Sequence, residues 1–298
     1  DKTAANKDTS TTKLVSNSSR IGFKGEDDLT DTTKLVYQLE YGVDVDADTN
    51  GKGQFYSRNT FIGLAHNTMG TLLAGRHDTP FKLTKGSVDV FNDYDNVALG
   101  KLMLGETRAN NVIAYKSPTL VGVPVTFMAA AVLSEEDKDA DVDNTDIDEG
   151  ANGYSASLAY DQNGVYLAAG YDNNIQSSKT DSAWRLAGSV DMGKMNMVPG
   201  LTLGALYQET DVADKSDDEK SWLVSGKYKI GATPWAVKAQ YIDTSNQSGV
   251  KDNDATEVAL GAEYTINKAT KGHLYAAQID TDNVSDKTIV GGGLEYKF

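Results

Sequence analysis

Thr288-Ile-Val-Gly-Gly-Gly-Leu-Glu-Tyr-Lys-Phe298 closes the chain. Counting back in twos from Phe298 gives Tyr296, Leu294, Gly292 and Val290, and the interleaved set is Lys297, Glu295 and Gly293. One face is apolar and ends in aromatics; the other is charged or small. Strict period-2 alternation marks a strand with one face in an apolar medium and one in water. The same pattern recurs along nearly all of the 298 residues. It points to an all-β chain folded as a transmembrane antiparallel up-and-down β-barrel.

Composition agrees. No stretch approaches the ~18–20 continuous apolar residues of a membrane helix, and the mean hydropathy is −0.43. A helical membrane protein is excluded, whereas a barrel exposes only every second residue to lipid and stays polar on average. The chain has no cysteine, which removes disulfides, thiolate metal sites and cysteine nucleophiles. A net charge of −15 argues against nucleic acid as a partner, since phosphate binding needs clustered Lys and Arg. No secretory leader opens the sequence, so an exported chain of this kind is expected to be a processed form.

Fifteen alternating segments can be laid out over one domain spanning residues 1–298. They run over 12–25, 32–46, 56–66, 70–77, 108–117, 123–133, 151–161 and 165–174, then 181–192, 200–211, 220–230, 235–244, 255–266, 272–280 and 287–298. Every second connection is short, as in Gln162-Asn-Gly164 or Gly231 to Pro234, and most of the others are longer and rich in Asp, Asn, Ser and Lys. Short turns at one end and long polar loops at the other are the asymmetry of outer-membrane barrels. All five prolines fall in connections or at strand starts.

The expected lipid-facing sets are consistent. Tyr154, Ala156, Leu158 and Tyr160 share a parity, as do Val165, Leu167, Ala169 and Tyr171. So do Leu201, Leu203, Ala205 and Tyr207, and Val258, Leu260, Ala262, Tyr264 and Ile266. Ser155, Ser157, Asp172, Gln208, Glu257 and Glu263 fall on the opposite parity. Trp235 lies beside a short turn, and Trp184 and Trp222 lie toward the long-loop end, as aromatic girdles require. A soluble sandwich is the competing reading, but fifteen strands in one meander would be unusual for it.

An odd strand count begins and ends on opposite sides of the membrane, whereas bacterial single-chain barrels have even counts. The expectation is therefore sixteen strands in the mature protein, with a first strand missing from this sequence and residues 1–11 a remnant of an external loop.

The chain resembles the Gram-negative general porins, the trimeric sixteen-stranded outer-membrane channels. The residues that carry the resemblance are Ser16-Asn-Ser-Ser-Arg-Ile-Gly-Phe-Lys-Gly25, Ser57-Arg-Asn-Thr-Phe-Ile-Gly-Leu64 and Leu73-Ala-Gly-Arg-His-Asp-Thr-Pro80. Arg108-Ala-Asn-Asn-Val-Ile-Ala-Tyr-Lys-Ser-Pro118 and the terminal Tyr296-Lys-Phe298 complete the set. The opening strand of the family's Leu-Tyr-Gly type has no counterpart here.

Function is expected at the longest connection, about Thr79 to Glu106, because roughly 28 residues is too long for a simple hairpin. The resemblance implies that this loop folds into the barrel and narrows it, and that a ladder of arginines faces it. By motif these are Arg20, Arg58 and Arg108, with Arg76 nearby; the acidic side is Asp89, Asp93 and Asp95. Parity supports lumen placement independently, since Arg20 and Lys24 oppose Ile21 and Phe23, and Arg58 opposes Phe61. An arginine on the lipid face near the midplane costs ~2–4 kcal/mol.

Two acidic stretches invite metal readings. Glu135 to Glu149 holds nine carboxylates and one lysine, and Asp46, Asp48, Asn50 and Gly51 match the front half of a calcium loop. Ser57 stands where that loop needs its bidentate Glu, so Asp46, Asp48 and Asn50 are weak candidates and both stretches read first as solvated external loops. Three histidines, no nucleophile elbow and no His-Glu-x-x-His pair give no catalytic residues, and no cofactor is expected.

The expectation is a passive diffusion channel for small hydrophilic solutes and ions, mildly cation-preferring, in the bacterial outer membrane. The alternatives are a substrate-specific porin and a non-channel structural barrel or adhesin. The resemblance implies a homotrimer, with the stretch from about Ala47 to Phe55 latching over a neighbour, in contact with outer-membrane lipid and lipopolysaccharide.

Overall fold

A computed structural model describes residues 10–46, 54–94, 96–119, 122–133, 153–176 and 180–298. The first strands are β1 (Arg20–Asp28), β2 (Thr33–Val43), β3 (Phe55–His66), β4 (Gly70–Asp78) and β5 (Arg108–Lys116). Next come β6 (Val125–Val132), β7 (Gly153–Gln162), β8 (Val165–Gln176), β9 (Thr180–Asp191) and β10 (Leu201–Val212). The last are β11 (Glu219–Lys229), β12 (Trp235–Ser245), β13 (Ala255–Thr265), β14 (Thr270–Thr281) and β15 (Lys287–Tyr296). They form one fifteen-stranded sheet in which each strand pairs with its sequence neighbours, so β1 and β15 are its two edges. The only α-helix among the described residues is α1 (Pro80–Leu83), in the connection from β4 to β5.

Alternation is expressed strand by strand. On β13 the outer Val258 and Leu260 are 48% and 59% exposed, while the inner Glu257 and Ala259 are fully buried. An apolar face exposed to this extent, opposite a buried face carrying polar groups, inverts the arrangement of a soluble sheet and suits a lipid surround. Girdle aromatics pair across strands on the outer face. Trp184 meets Tyr207, Trp222 meets Tyr241 and Trp235 meets Tyr264, at centroid separations of 5.3, 5.0 and 4.8 Å. Each such pair adds ~0.5–1.5 kcal/mol beyond its buried area.

The first strand begins later than the alternation suggests. Ser18 has φ 55°, a left-handed backbone that breaks an extended run, and β1 starts at Arg20. The chain before it is tied to the end of β2, with Ser16 Oγ donating to the Val43 carbonyl at 2.9 Å.

A second departure lies in β3. Leu39 pairs with Thr60 but Tyr41 pairs with Ser57, so Glu40 faces two residues, Arg58 and Asn59. This β-bulge shifts the parity of β3 by one. Arg58 and Phe61 therefore share the inner face instead of opposing each other. Phe61 packs there with Leu73, Val112 and Ala114, while Arg58 bonds Glu40.

Candidate functional site

Residues 79–107 leave β4, enter the barrel and return to β5. Thr79 N–H donates to the Thr107 carbonyl at 3.2 Å and closes the base of the loop. Thr79 also caps α1, its hydroxyl accepting from the Lys82 N–H at 3.1 Å, and Pro80 occupies the first helical turn. This pre-set turn directs the chain inward. From there the loop is anchored to one wall strand after another.

Phe81 N–H donates to Ser155 Oγ on β7 at 3.0 Å, and Tyr166 Oη on β8 donates to the Thr84 carbonyl at 3.0 Å. Ser225 Oγ on β11 reaches the Val88 carbonyl at 2.5 Å, and Lys238 Nζ on β12 reaches the Val90 carbonyl at 2.8 Å. Tyr94 Oη donates to Glu263 Oε1 on β13 at 3.2 Å, and its ring stacks on His273 of β14 at 4.3 Å. On the return leg Gln208 Nε2 donates to the Leu104 carbonyl at 2.8 Å, and Leu104 N–H donates to Glu219 Oε1 at 2.9 Å. All these anchors lie on β7 to β14. Buried polar groups need partners, and the loop's carbonyls and N–H groups find them on the inner faces of strands.

Apolar side chains of the loop fill the same interface. Phe81, Val88, Phe91, Val97 and Leu99 are fully buried. Leu99, Leu102 and Met103 pack with Ala187, Leu206, Leu223 and Ile242. Burial of each large side chain contributes ~1.5–3 kcal/mol. The loop is therefore part of the packed interior.

Two ionic clusters hold its ends. At the root, fully buried Arg185 on β9 pairs with Glu106 at 2.9 Å, donates to Gln208 Oε1 at 2.9 and 2.6 Å, and stands 4.4 Å from the Phe81 ring centroid. Lys85 reaches the other oxygen of Glu106 at 2.5 Å. Burial alone would raise the Glu106 pKa, but Arg185 and Lys85 outweigh it and hold the group below the usual carboxylate range. Burial lowers Lys82, partly offset by Asp78. At the tip, Lys238 Nζ lies 3.6 Å from the Tyr94 ring centroid and 4.6 Å from that of Phe91, and pairs with Glu263 at 3.0 Å. Burial and the Glu263 charge push the Tyr94 phenol up.

The structure distributes the sequence-predicted site residues unevenly. Arg20 and Lys24 do lie on the inner face of β1, opposite in register to Gly42 and Gln38. Arg58 pairs with Glu40 at 2.5 Å, and Arg108 pairs with Asp78 at 3.1 Å and Asn59 at 2.8 Å. Both of these arginines are thus neutralised within their own wall. Arg76 departs from the expected set. Its parity is that of Leu72, which is 51% exposed, and a bulge at Asn110 and Asn111 faces it. It bonds Asn110 Oδ1 in a cleft of about 330 Å³ lined also by Ser57, Thr60, Gly75 and Asn111, turned toward the outer face.

Asp89 is buried inside the loop, accepting from the Phe91 and Leu99 N–H groups at 3.2 Å each. Burial pushes its pKa up to about 6 against the pull of Lys85. Its task is internal bracing, not lining water. Asp93 is exposed, and its carbonyl accepts from Asn17 Nδ2, three residues before Arg20. Asp95, Asp48, Asn50 and the 135–149 stretch lie outside the described residues. Asp46 accepts from the Ser16 N–H at 2.9 Å, and no metal-holding cluster occurs among the described residues.

Sequence reasoning missed Arg185, Glu106, Lys238 and Glu219. The available signal was a charged residue on the inner parity of a strand, since such a group must meet a partner in the lumen. The partner's identity was not readable.

The sequence matches the model of the Gram-negative porin family over residues 1–284. It is 26% identical over 325 residues to the major outer membrane protein P.IB of Neisseria sicca, covering 98% of this chain and 87% of that one. The fold is similar to that of an anion-selective porin from Comamonas acidovorans, with a TM-score of 0.69 at 20% identity over 93% of this chain and 85% of that chain. It is also similar to the trimer form of OmpT of Vibrio cholerae, with a TM-score of 0.62 at 19% identity over 98% and 94% of the two chains.

Proposed function

The chain belongs to the Gram-negative porin family, outer-membrane channels for small solutes, and from that premise we propose a general diffusion porin whose constriction is the loop 79–107. One observation carries this reading: the loop is fixed along the inner faces of β7 to β14 by buried hydrogen bonds. Water and solutes then pass between the loop and the inner faces of β1 to β6. On that side stand Arg20, Lys24 and Arg58. Asp93, with Asp95 beside it in sequence, supplies the acidic side. A transverse field there orients dipolar solutes and disfavours apolar ones.

With Arg58 and Arg108 neutralised locally, the overall charge of −15 favours cations at the mouth, so a mild cation preference follows. The assembly in this reading is a homotrimer in contact with lipopolysaccharide, with residues 47–55 as the latch. A substrate-specific porin is the second reading, favoured by the ring cluster that Tyr94 of the loop forms with His273 and Tyr275 of the wall. Planar-bilayer recording in a salt gradient tests the first: a reversal potential of the sign for cations is expected, with current linear in solute concentration. Saturation by one solute favours the second reading, and absence of any conductance removes both.

A further inference from the structure

Beneath the return leg of the loop, a buried carboxyl has a donor for only one of its oxygens. Glu257 lies on the inner face of β13, with Ile242 of β12 and Ile279 of β14 as its ladder partners. It is fully buried, and Gln240 beside it on β12 is 3% exposed. Gln240 Nε2 lies 3.5 Å from Glu257 Oε1 and 3.4 Å from the Val97 carbonyl of the loop. The remaining oxygens, Glu257 Oε2 and Gln240 Oε1, have no hydrogen-bond partner among the described residues.

The group therefore holds four acceptor oxygens and a single amide as donor. A buried acceptor left unserved costs ~1–3 kcal/mol, and more when it is charged. Among the described residues no neighbouring cation pairs with Glu257. On the loop, Asp89 is itself an acid, and its neighbour Lys85 is engaged with Glu106 at 2.5 Å. On β12, Lys238 is engaged with Glu263 at 3.0 Å. On β11, Glu219 accepts from the Leu104 and Ser248 N–H groups. On β14, Ala277 and Ile279 carry no charge.

We propose that Glu257 is a proton-binding site: it stands as the carboxylic acid, with Oε2–H donating to Gln240 Oε1. One proton turns an unserved acceptor into a donor and serves the amide oxygen, closing both deficits at once. It also spares Asp89 a second negative charge nearby. The neutral acid and Gln240 then form a bridge from the wall to the Val97 carbonyl. Removing the proton sets a second negative charge near Asp89 in a dry pocket and weakens that bridge, so alkaline solution loosens the return leg.

The isosteric variant Glu257→Gln carries a neutral donor at every pH and tests this in the intact reconstituted protein. At about pH 7.5, above the range in which Asp89 takes up a proton, the difference spectrum of wild type minus E257Q should show the infrared carbonyl band of a protonated carboxyl, any other protonated acid cancelling between the two proteins. Single-channel recording then reads the consequence. Wild-type current should become noisier as the solution is made alkaline, while E257Q stays quiet at neutral and alkaline pH alike. The infrared arm does not depend on the loop being the constriction. A difference spectrum without that band overturns the proposal whatever the pore does. Identical alkaline responses in the two proteins overturn the bridge.

Discussion

Arg185 Nη1 meets Glu106 Oε1 at 2.9 Å, joining the middle of β9 to the exit of the inward loop with the arginine wholly out of water. The guanidinium also forks onto Gln208 and lies over Phe81, so one side chain ties wall, entry and exit of the loop together. Removing one partner of a buried pair costs about 3–5 kcal/mol, because the other charge is left uncompensated. Arg185→Ala should therefore loosen the loop root, lower the thermal midpoint in detergent and add flicker to the single-channel current. Arg185→Lys keeps the charge but loses the fork and should fall between. Unchanged noise and midpoint in R185A would show that the pair is dispensable.

The pH dependence of loop docking follows from two acids shifted in opposite directions. Glu106 is held below the usual carboxylate range, so its contribution is present above that range and is lost only as pH falls through the still lower folded value. Asp89 is pushed up to about 6, so docking binds a proton that the undocked chain releases nearer 4. Its effect has the opposite sign: docking weakens as pH rises through about 6. Protection of residues 79–107 from hydrogen exchange should be greatest at mildly acidic pH and decline on either side. Asp89→Asn should flatten the decline toward neutrality while leaving the strongly acidic one. A profile flat in both proteins contradicts the assignment.

Lys238 provides a clamp at the tip. Its ammonium sits between the Tyr94 and Phe91 rings and bonds the Val90 carbonyl. A desolvated cation–π contact is worth ~2 kcal/mol. Lys238→Met keeps the stem and removes the charge; Glu263 retains Lys227 at 2.5 Å. The variant should fold as a barrel but expose the tip to proteolysis faster than wild type, with Lys238→Arg intermediate. Equal cleavage rates would assign the tip's order to apolar packing alone.

Much of the wall was legible because period 2 depends only on which medium each face meets. The inner and outer sets of β13 follow directly from Val258, Leu260, Glu257 and Glu263. The bulge in β3 was not legible, since the extra residue among Arg58 and Asn59 leaves no compositional mark, and parity across it failed for Phe61. The role of Asp89 was hidden for another reason: an acid in a polar loop reads as solvated until the Phe91 and Leu99 N–H groups are seen to converge on it. Arg185 and Lys238 were visible as charges on inner parities. Their partners come from a loop whose path is set by packing rather than by local sequence.

The charges on the β1 to β6 side set ion selectivity in the proposed pore. Arg20 enters no ion pair among the described residues, whereas Arg58 is balanced by Glu40. Arg20→Ala should raise cation preference by removing a charge. Arg58→Ala should do so as well by freeing the Glu40 carboxylate. Asp93→Asn should move the reversal potential the other way. Arg76, turned outward, predicts no shift on replacement by Ala. If Arg76 moves the potential and Arg20 does not, the wall is assigned to the wrong residues.

Glycines on the inner wall let the loop lie against the strands. A Cβ added at Gly170 would come within 2.8 Å of Thr84 Cγ2 and 3.2 Å of Phe81 Cα, and one at Gly204 within 3.1 Å of Val88 Cα. The obstructing atoms include loop backbone, which cannot turn aside as a side chain can, so the loop itself must move toward the lumen. Overpacking of a well-filled interface costs ~1–3 kcal/mol. Gly170→Val and Gly204→Val should therefore narrow the passage and lower single-channel conductance while the barrel still assembles. At Gly272 the nearest atom to an added Cβ is Leu294 Cδ2 at 3.9 Å, so Gly272→Ala should leave conductance unchanged. Equal conductance in G204V and wild type, with both folded, would mean that the passage does not run along the free side of the loop.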